Sequence, residues 1–298
     1  MKRVLVIGAT GMLGRPVARQ LIAAGYDVTI ASRNPEKVAG FDAPVVKADL
    51  FDIESLRKAF EGQDEIYLNL SVNRGGGPDA PHQESDGLRN AIAVAKEQQG
   101  IRISLISSLV QNYQGMNGFH WWEFDVKREA IRLLRDSGLP YFIFYPSSFM
   151  ENFTHEQRQG KKIMLAGKSR AKMWFIAGDD YGRMVAKAMA LPAGVSGEYI
   201  VQGPEGFTYD EAAKVYVESS PEDLRISHAP LWPLRLASIF KPSMRDLVKI
   251  LVALNNYPEQ FDSEKTWNEL GRPQITLADF ARAAASRNAD DANNAANV

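Results

Sequence analysis

The stretch Val4-Leu5-Val6-Ile7-Gly8-Ala9-Thr10-Gly11-Met12-Leu13-Gly14 decides how this chain is read. Its four leading apolar residues, Val4 to Ile7, read as a strand buried on both faces. Gly8, Gly11 and Gly14 come next at a constant spacing. Arg15 to Ala24 then carries Val17, Ala18, Leu21 and Ile22 at helical spacing. Strand, glycine-rich turn and helix form the context in which such glycines bind a dinucleotide. Gly8 turns the chain sharply off the strand, Gly11 lets backbone approach a pyrophosphate, and Gly14 lets the helix pack closely on the sheet. The helix N-terminus adds unpaired N–H groups and a partial positive charge. The same glycines also fit a plain strand-to-helix turn with no ligand, so the residues at the later strand ends carry the decision.

Composition sets outer bounds. The 298 residues are enough for one large domain or two small ones. A net charge of -1 provides no overall basic field for nucleic acid or an anionic membrane, so neither is expected as a partner. The apolar runs are too short to span a bilayer, and the chain enters its first strand at once, so no secretory leader is expected. Cysteine is absent, which removes disulfides, thiolate metal sites and a cysteine nucleophile and fits a cytoplasmic protein. His82, His120, His155 and His228 have no metal-ligand spacing, so no metal is expected.

Strands are predicted over 27–32, 43–48, 65–72, 102–109 and 141–145, alternating with helices over 53–60, 84–98 and 121–137. That rhythm predicts an α/β fold, a doubly wound parallel sheet with right-handed crossovers. Residues 147–172 show no clear period; a short strand at 173–176, a helix at 180–190 and a return strand at 197–202 come after them. From Thr208 the chain reads as mainly helical, over 209–218, 231–239, 243–255 and 277–285, with a polar tail at 286–298 expected to be disordered. The domain expectation is a cofactor-binding unit over 1–146, to which 173–203 return. A smaller, mainly helical substrate unit covers 147–172 and 204–285.

In an open parallel sheet, ligands sit at the carboxyl ends of the strands. After strand 2 stand Ser32-Arg33-Asn34, with Lys37 one turn later. Arg33 occupies the region where an NAD-preferring fold places an acid for the ribose hydroxyls, and no Asp or Glu stands there. A guanidinium can fork onto a 2′-phosphate and stack on adenine, so the expectation is NADP over NAD. After strand 3, Asp49 and Leu50 are placed to hold adenine, although Asp49 also fits a helix cap. Leu70 and Ser71 would run under the middle of the cofactor, and Ser107 and Ser108 end strand 5 near the nicotinamide. Lys127 on the next helix is placed to reach the nicotinamide ribose and to lower a neighbouring hydroxyl's pKa; the plainer alternative is an exposed helix lysine.

Several blocks in order resemble the atypical, or extended, short-chain dehydrogenase/reductase superfamily, and within it the NmrA-like group. They include VLVIGATGMLGRPVARQLIAAGYDV (4–28), SRNPEK (32–37), KADLFD (47–52), SLISS (104–108) and VKREAIRLLRDSGLPYFIFYPSSFMENF (126–153). The resemblance implies a Rossmann domain with a small C-terminal substrate domain. It implies NADP binding at Gly8, Thr10, Gly11, Met12, Leu13, Arg33 and Lys37, then Asp49, Leu50 and Lys127. It also places Pro146, Ser147, Phe149 and Asn152 at the nicotinamide end. One departure stands out. Catalytic members carry Tyr-x-x-x-Lys, and four residues before Lys127 this chain has Glu123. Tyr113 and His120, in the loop after strand 5, and Tyr145 are the other candidate proton donors, and Trp121-Trp122 either line an aromatic cleft or pack the helix. Two main readings stay open. One is an NADPH-dependent reductase of a small quinone or carbonyl compound. The other is a non-catalytic NADP(H) sensor that binds a protein partner. A nucleotide-sugar epimerase or dehydratase ranks third, because that chemistry leans on the tyrosine.

Overall fold

The computed structural model describes residues 1–284. The strands in chain order are β1 (Arg3–Ile7), β2 (Asp27–Ser32), β3 (Val45–Lys47), β4 (Glu65–Leu68), β5 (Arg102–Ile106), β6 (Tyr141–Pro146), β7 (Arg158–Gln159), β8 (Lys162–Ala166), β9 (Met173–Trp174), β10 (Gly197–Val201), β11 (Gly206–Phe207) and β12 (Arg225–Ala229). The helices are α1 (Gly14–Ala23), α2 (Ile53–Phe60), α3 (Leu88–Glu97), α4 (Trp122–Arg135), α5 (Gly178–Met189), α6 (Tyr209–Ser219), α7 (Leu231–Phe240), α8 (Pro242–Asn256) and α9 (Glu264–Leu270). Residues 277–284 are also helical.

Seven strands form one parallel sheet in the order β10-β6-β5-β4-β1-β2-β3. The chain builds outward from β1 through β2 to β3, then returns beside β1 with β4 and builds the other way. The strand order therefore reverses between β1 and β4, where a doubly wound sheet opens its binding crevice. Strand β1 explains why the sheet is covered on both sides. Val4 and Val6 face a layer made by α1 and α5, through Val17, Ala18, Leu21, Met184 and Val185. Leu5 faces the opposite layer, with Leu56, Ala91, Ile92, Ala130 and Leu134. At the amino ends of β4 and β5, the fully paired Arg102 guanidinium grips the Glu65 carboxylate. It also donates to the carbonyls of Met189, Pro192 and Val195.

A further apolar cluster gathers Met150, Phe153, Ile163, Leu165, Phe175, Tyr209, Tyr216, Leu277 and Phe280. It ties the segment after β6 to the C-terminal helices. The structure corrects several sequence expectations. The stretch 147–172 holds β7 and β8, paired antiparallel, and β12 pairs with β8 in parallel inside a region read as helical. The strand expected to return to the sheet at 197–202 is β10, and its partner there is β6. Strand 4 stops at Leu68, with the Asn69 N–H to the Ile7 carbonyl as the last rung of its ladder on β1. Strand 5 stops at Ile106, because Leu109–Tyr113 wind into a 3-10 turn. The helix expected from Glu84 begins as a π turn over Gln83–Gly87. Helix α9 has no counterpart among the sequence expectations. The polar tail expected at 286–298, and the last residue of the helix expected at 277–285, lie outside the described residues.

Candidate functional site

The crevice is built around glycine contacts. Gly8 has φ +83°, and a Cβ there would stand 2.2 Å from the Asn69 carbonyl oxygen at the end of β4. Gly8 is thus required both by its left-handed backbone and by the neighbouring strand. A Cβ on Gly14 would stand 2.0 Å from the Gly8 carbonyl oxygen, so that glycine sets how closely α1 approaches the turn. Gly11 differs: it is exposed, and an added Cβ would meet only ordinary contacts at 3.5 Å or more. The Asn69 side chain donates to the Gly8 carbonyl at 3.3 Å and pins the turn to β4. Helix α1 begins without a side-chain cap and without an acid in its first turn. Its start beside Thr10, Met12 and Leu13 is therefore an uncapped positive helix end.

At the end of β2, Asn34 N–H donates to Ser32 Oγ, and Arg33 and Lys37 are exposed. Among the described residues neither has an ion-pair partner. The structure adds a cation that the sequence does not single out. Arg15, directly after Gly14, lies over the Phe41 ring at 4.8 Å and donates to the Ala39 carbonyl, reaching the loop beyond Lys37. At the next strand end, Asp49 Oδ1 accepts from Phe51 N–H at 3.0 Å. The cap of α2 is Asp52, which accepts from Ser55 N–H at 3.3 Å, so the helix-cap alternative for Asp49 is corrected. Leu50 is buried against Gly87, and Asn90 donates to its carbonyl. Leu70 is buried while Ser71 is exposed.

The π turn after β4 is tied to α4 by two rungs. Lys127 Nζ donates to both Glu84 oxygens, at 2.8 and 3.0 Å. His82 stacks on Trp122, with centroids 5.1 Å apart. Glu84 is 1% exposed, so Lys127 is held by a buried carboxylate instead of waving in solvent. His82 Nδ1 accepts from Asn73 N–H at 3.2 Å, which in the neutral ring leaves the proton on Nε2. That Nε2 is buried and has no hydrogen-bond partner among the described residues. The sequence shows His82 only as one of four scattered histidines and does not single out Glu84. The available signal is their position, two residues apart, straight after the glycine-rich loop beyond β4.

The other predicted residues are dispersed. Ser107, at the end of β5, accepts from Gln111 Nε2 at 3.4 Å. Tyr113 packs on Phe119, with centroids 4.8 Å apart, in a cluster that includes Trp121, Phe124 and Tyr257. His120 is 70% exposed and pairs with Asp125 at 2.8 Å. Trp121 is buried and donates to Asp246, so both tryptophans pack. Pro146 closes β6, and Ser147 donates to the buried Glu259 at 2.8 Å. Phe149 packs edge-on to Tyr181 in the layer between α1 and α5, and Asn152 donates to Ser148 Oγ. Glu259 also accepts from Gln202 and from Trp174 N–H, and burial pushes its carboxyl up from the ordinary range. Glu123 is buried. Tyr145 donates to Glu198, and burial together with that carboxylate pushes its phenol well up. Tyr145 lines a cleft of about 450 Å³ with Arg128, Ile131, Arg135 and Ile200. Neither Lys127 nor any residue of the glycine turn lines that cleft. Among the described residues no group of three or more His, Asp or Glu side chains is arranged to hold a metal.

A parallel sheet whose strand order reverses beside a glycine-only turn and an uncapped helix start defines a class, the dinucleotide-binding α/β folds. The comparisons narrow it. A family model described as NAD(P)H-binding matches residues 8–192, and the chain belongs to that family. An uncharacterized oxidoreductase, YesF, of Bacillus subtilis (strain 168) is 25% identical over 291 residues, covering 95% of each chain. A (4-alkanoyl-5-oxo-2,5-dihydrofuran-3-yl)methyl phosphate reductase of Streptomyces griseus subsp. griseus is 30% identical over 221 residues, 70% of each chain. The solved structure of the NADPH-dependent quinone oxidoreductase QOR2 of Escherichia coli, in complex with NADPH, superposes with a TM-score of 0.71. Its identity is 23%, covering 93% of this chain and 98% of that one. Of what the sequence resemblance implies, the Rossmann-like fold and membership of an NAD(P)H-binding family therefore hold.

Proposed function

We propose that this chain is an NADPH-dependent reductase of a small quinone or carbonyl compound, of the NmrA-like group and acting in the cytoplasm. The observation that carries the cofactor half is the turn itself: Gly8 and Gly14 admit no side chain, yet Gly11 is left open over an uncapped helix. Free space beside backbone at a positive helix end suits a pyrophosphate. Arg33 and Lys37, unpaired at the end of β2 with Arg15 pinned alongside, suit a 2′-phosphate and favour NADP over NAD. In this reading Thr10, Met12 and Leu13 line the pyrophosphate, Asp49 and Leu50 the adenine, and Leu70 and Ser71 the middle of the cofactor. Ser107, Pro146, Ser147, Phe149 and Asn152 surround the nicotinamide end. Residues 1–146 with 173–203 form the cofactor unit, and 147–172 with 204–285 the substrate unit.

NADPH supplies the hydride when bound. A lysine ammonium has three N–H groups; two go to Glu84, and the third is free for a ribose hydroxyl. His82 answers the missing tyrosine. Its Nε2–H is a buried donor without an acceptor, and leaving such a group unpaired costs about 1–3 kcal/mol. A substrate oxygen developing negative charge would accept that hydrogen bond, with the proton itself coming from solvent, because a neutral ring that gave up its Nε2 proton would be left as an imidazolate. Tyr113 and His120 are weaker donors, one packed among aromatics and the other paired at the surface.

One observation favours the sensor reading: Glu123 stands where catalytic relatives place tyrosine. The test measures binding and turnover on one preparation. NADPH oxidation is tracked with a panel of quinones and aldehydes, beside direct NADPH titration. Substrate-dependent oxidation that falls at least about tenfold in His82→Phe, with NADPH affinity kept, supports the reductase. Tight NADPH binding with no oxidation across the panel would favour the sensor and its protein partner.

A further inference from the structure

Helix α7, LWPLRLASIF, is the most apolar of helices α1 to α9, yet none of its residues is buried. Its inner side rests on the end of β8: Leu231 lies so close to Gly167 that a Cβ there would come within 2.6 Å of Leu231 Cδ1. Its outer side presents Trp232, Leu236, Ile239 and Phe240 at 68%, 56%, 64% and 79% exposure. These positions fall at i, i+4, i+7 and i+8, one continuous stripe on a helix. Two aromatics and two aliphatics facing outward on one helix form the kind of contiguous patch that marks an interaction surface.

The surrounding charge says what fits it. Residues 231–250 carry Arg235, Lys241, Arg245 and Lys249 against a single acid, Asp246. That acid already accepts from Trp121 Nε1, and Lys249 donates to the His120 carbonyl. Arg235, Lys241 and Arg245 are exposed, as is Lys168, next to the glycine under Leu231. None of these four pairs with an acid among the described residues. A second copy docked here by two-fold symmetry would bring these cations against their own counterparts with no acid to offset them. The polar tail 286–298, with Val298 its one large apolar residue, offers no matching apolar face.

We infer that the outer face of α7 docks on an anionic bilayer: Trp232, Leu236, Ile239 and Phe240 enter the headgroup–acyl boundary, and Arg235, Lys241 and Arg245 meet anionic headgroups. Ten residues are far too few to cross a membrane, so the helix lies in the interface plane. Trp, Phe and Leu are the side chains that settle at that depth, and cations near them in the chain add attraction that falls with salt. The net charge of -1 conceals this, because the positive field is local to one corner. Such docking is peripheral, with no described helix crossing the bilayer, and it stands independently of which substrate the cofactor site serves.

The test is co-sedimentation of the full chain with vesicles of phosphatidylcholine alone and of phosphatidylcholine mixed with phosphatidylglycerol. Wild type should sediment with the mixed vesicles and not with neutral ones, and added salt should release it. Trp232→Ser/Phe240→Ser should lower the partition at least about tenfold. Arg235→Gln/Lys241→Gln/Arg245→Gln should lower it about a hundredfold. Both variants change exposed side chains, so circular dichroism and NADPH affinity should match wild type and show that loss of binding is not loss of fold. Wild type remaining in the supernatant with mixed vesicles would overturn the inference, as would a double aromatic variant that sediments like wild type. A dimer that the aromatic pair dissolves, without sedimentation on anionic vesicles, would assign the face to a second copy and overturn it as well.

Discussion

Gly11→Ala separates a turn shaped for packing from a turn shaped for a ligand. Gly11 is absent from the positive-φ glycines, and a Cβ built on it meets the Gly8 carbonyl oxygen at 3.5 Å and Asn69 Nδ2 at 3.6 Å. Both are ordinary contacts, so the free protein should keep its stability within about 0.5 kcal/mol. A pyrophosphate lying on the Gly11 backbone would meet that methyl directly. Pushing the phosphate away loses one or two charge-assisted N–H bonds, each worth about 1.5–3 kcal/mol. At about 3 kcal/mol, NADPH affinity falls roughly a hundredfold. Gly14→Ala is the contrast: its Cβ would stand 2.0 Å from the Gly8 carbonyl oxygen and 2.9 Å from Ala9 Cα, so α1 must shift. That variant should lose about 1–3 kcal/mol of stability or more before any ligand is added. Urea unfolding of the free proteins and NADPH titration by fluorescence give both readings. A Gly11→Ala protein that binds NADPH within threefold of wild type would refute the ligand-shaped turn. So would one destabilised as much as Gly14→Ala.

The remaining predictions concern ion pairs and the second rung of the site. Arg102→Met leaves the buried Glu65 carboxylate with only Lys2, at 3.6 Å, as a cation partner among the described residues and should cost up to about 3 kcal/mol in urea unfolding, with Glu65→Met/Arg102→Met recovering part of the loss. Arg158 forks onto Glu222 at 2.8 and 2.5 Å and holds that carboxyl below its ordinary range. Because the folded value is the lower one, this stabilisation is full above the ordinary carboxylate pKa and is lost as pH falls through the folded value. The pair is partly exposed, so Glu222→Gln should cost no more than about 1 kcal/mol at neutral pH and should flatten the acid limb of stability against pH. Lys127→Ala should weaken NADPH binding about tenfold and leave Glu84 a buried, unpaired carboxylate; Glu84→Gln in the same background should restore the stability lost, seen by thermal melting, without restoring affinity.

Much of the sheet is legible because buried parallel strands are written as local apolar runs. Val4 to Ile7 and Phe142 to Phe144 announce themselves, and the glycines after β1 carry their own geometric reason. The features that stay hidden depend on contacts between distant segments. Strand β12 alternates weakly and is half-exposed, and it becomes a strand only by pairing with β8. Arg15 reads as a helix-surface residue until the loop at Phe41 is folded beneath it. His82 and Glu84 carry no motif, and only the π turn and α4 bring them to Trp122 and Lys127. Helix α7 misleads in the opposite sense: its sequence is that of a core helix, and the fold leaves its apolar face outside.

The central claim is an NADPH site at the reversal of strand order, with Arg33 reading the 2′-phosphate. The most direct test is calorimetric titration of wild type and Arg33→Ala with NADPH and NADH. Wild type should prefer NADPH, and Arg33→Ala should lose about 1.5–3 kcal/mol toward NADPH, as for a hydrogen bond to a charged group, with NADH little changed. Equal affinity for the two cofactors in wild type would contradict the role given to Arg33, and no binding of either would contradict the site itself.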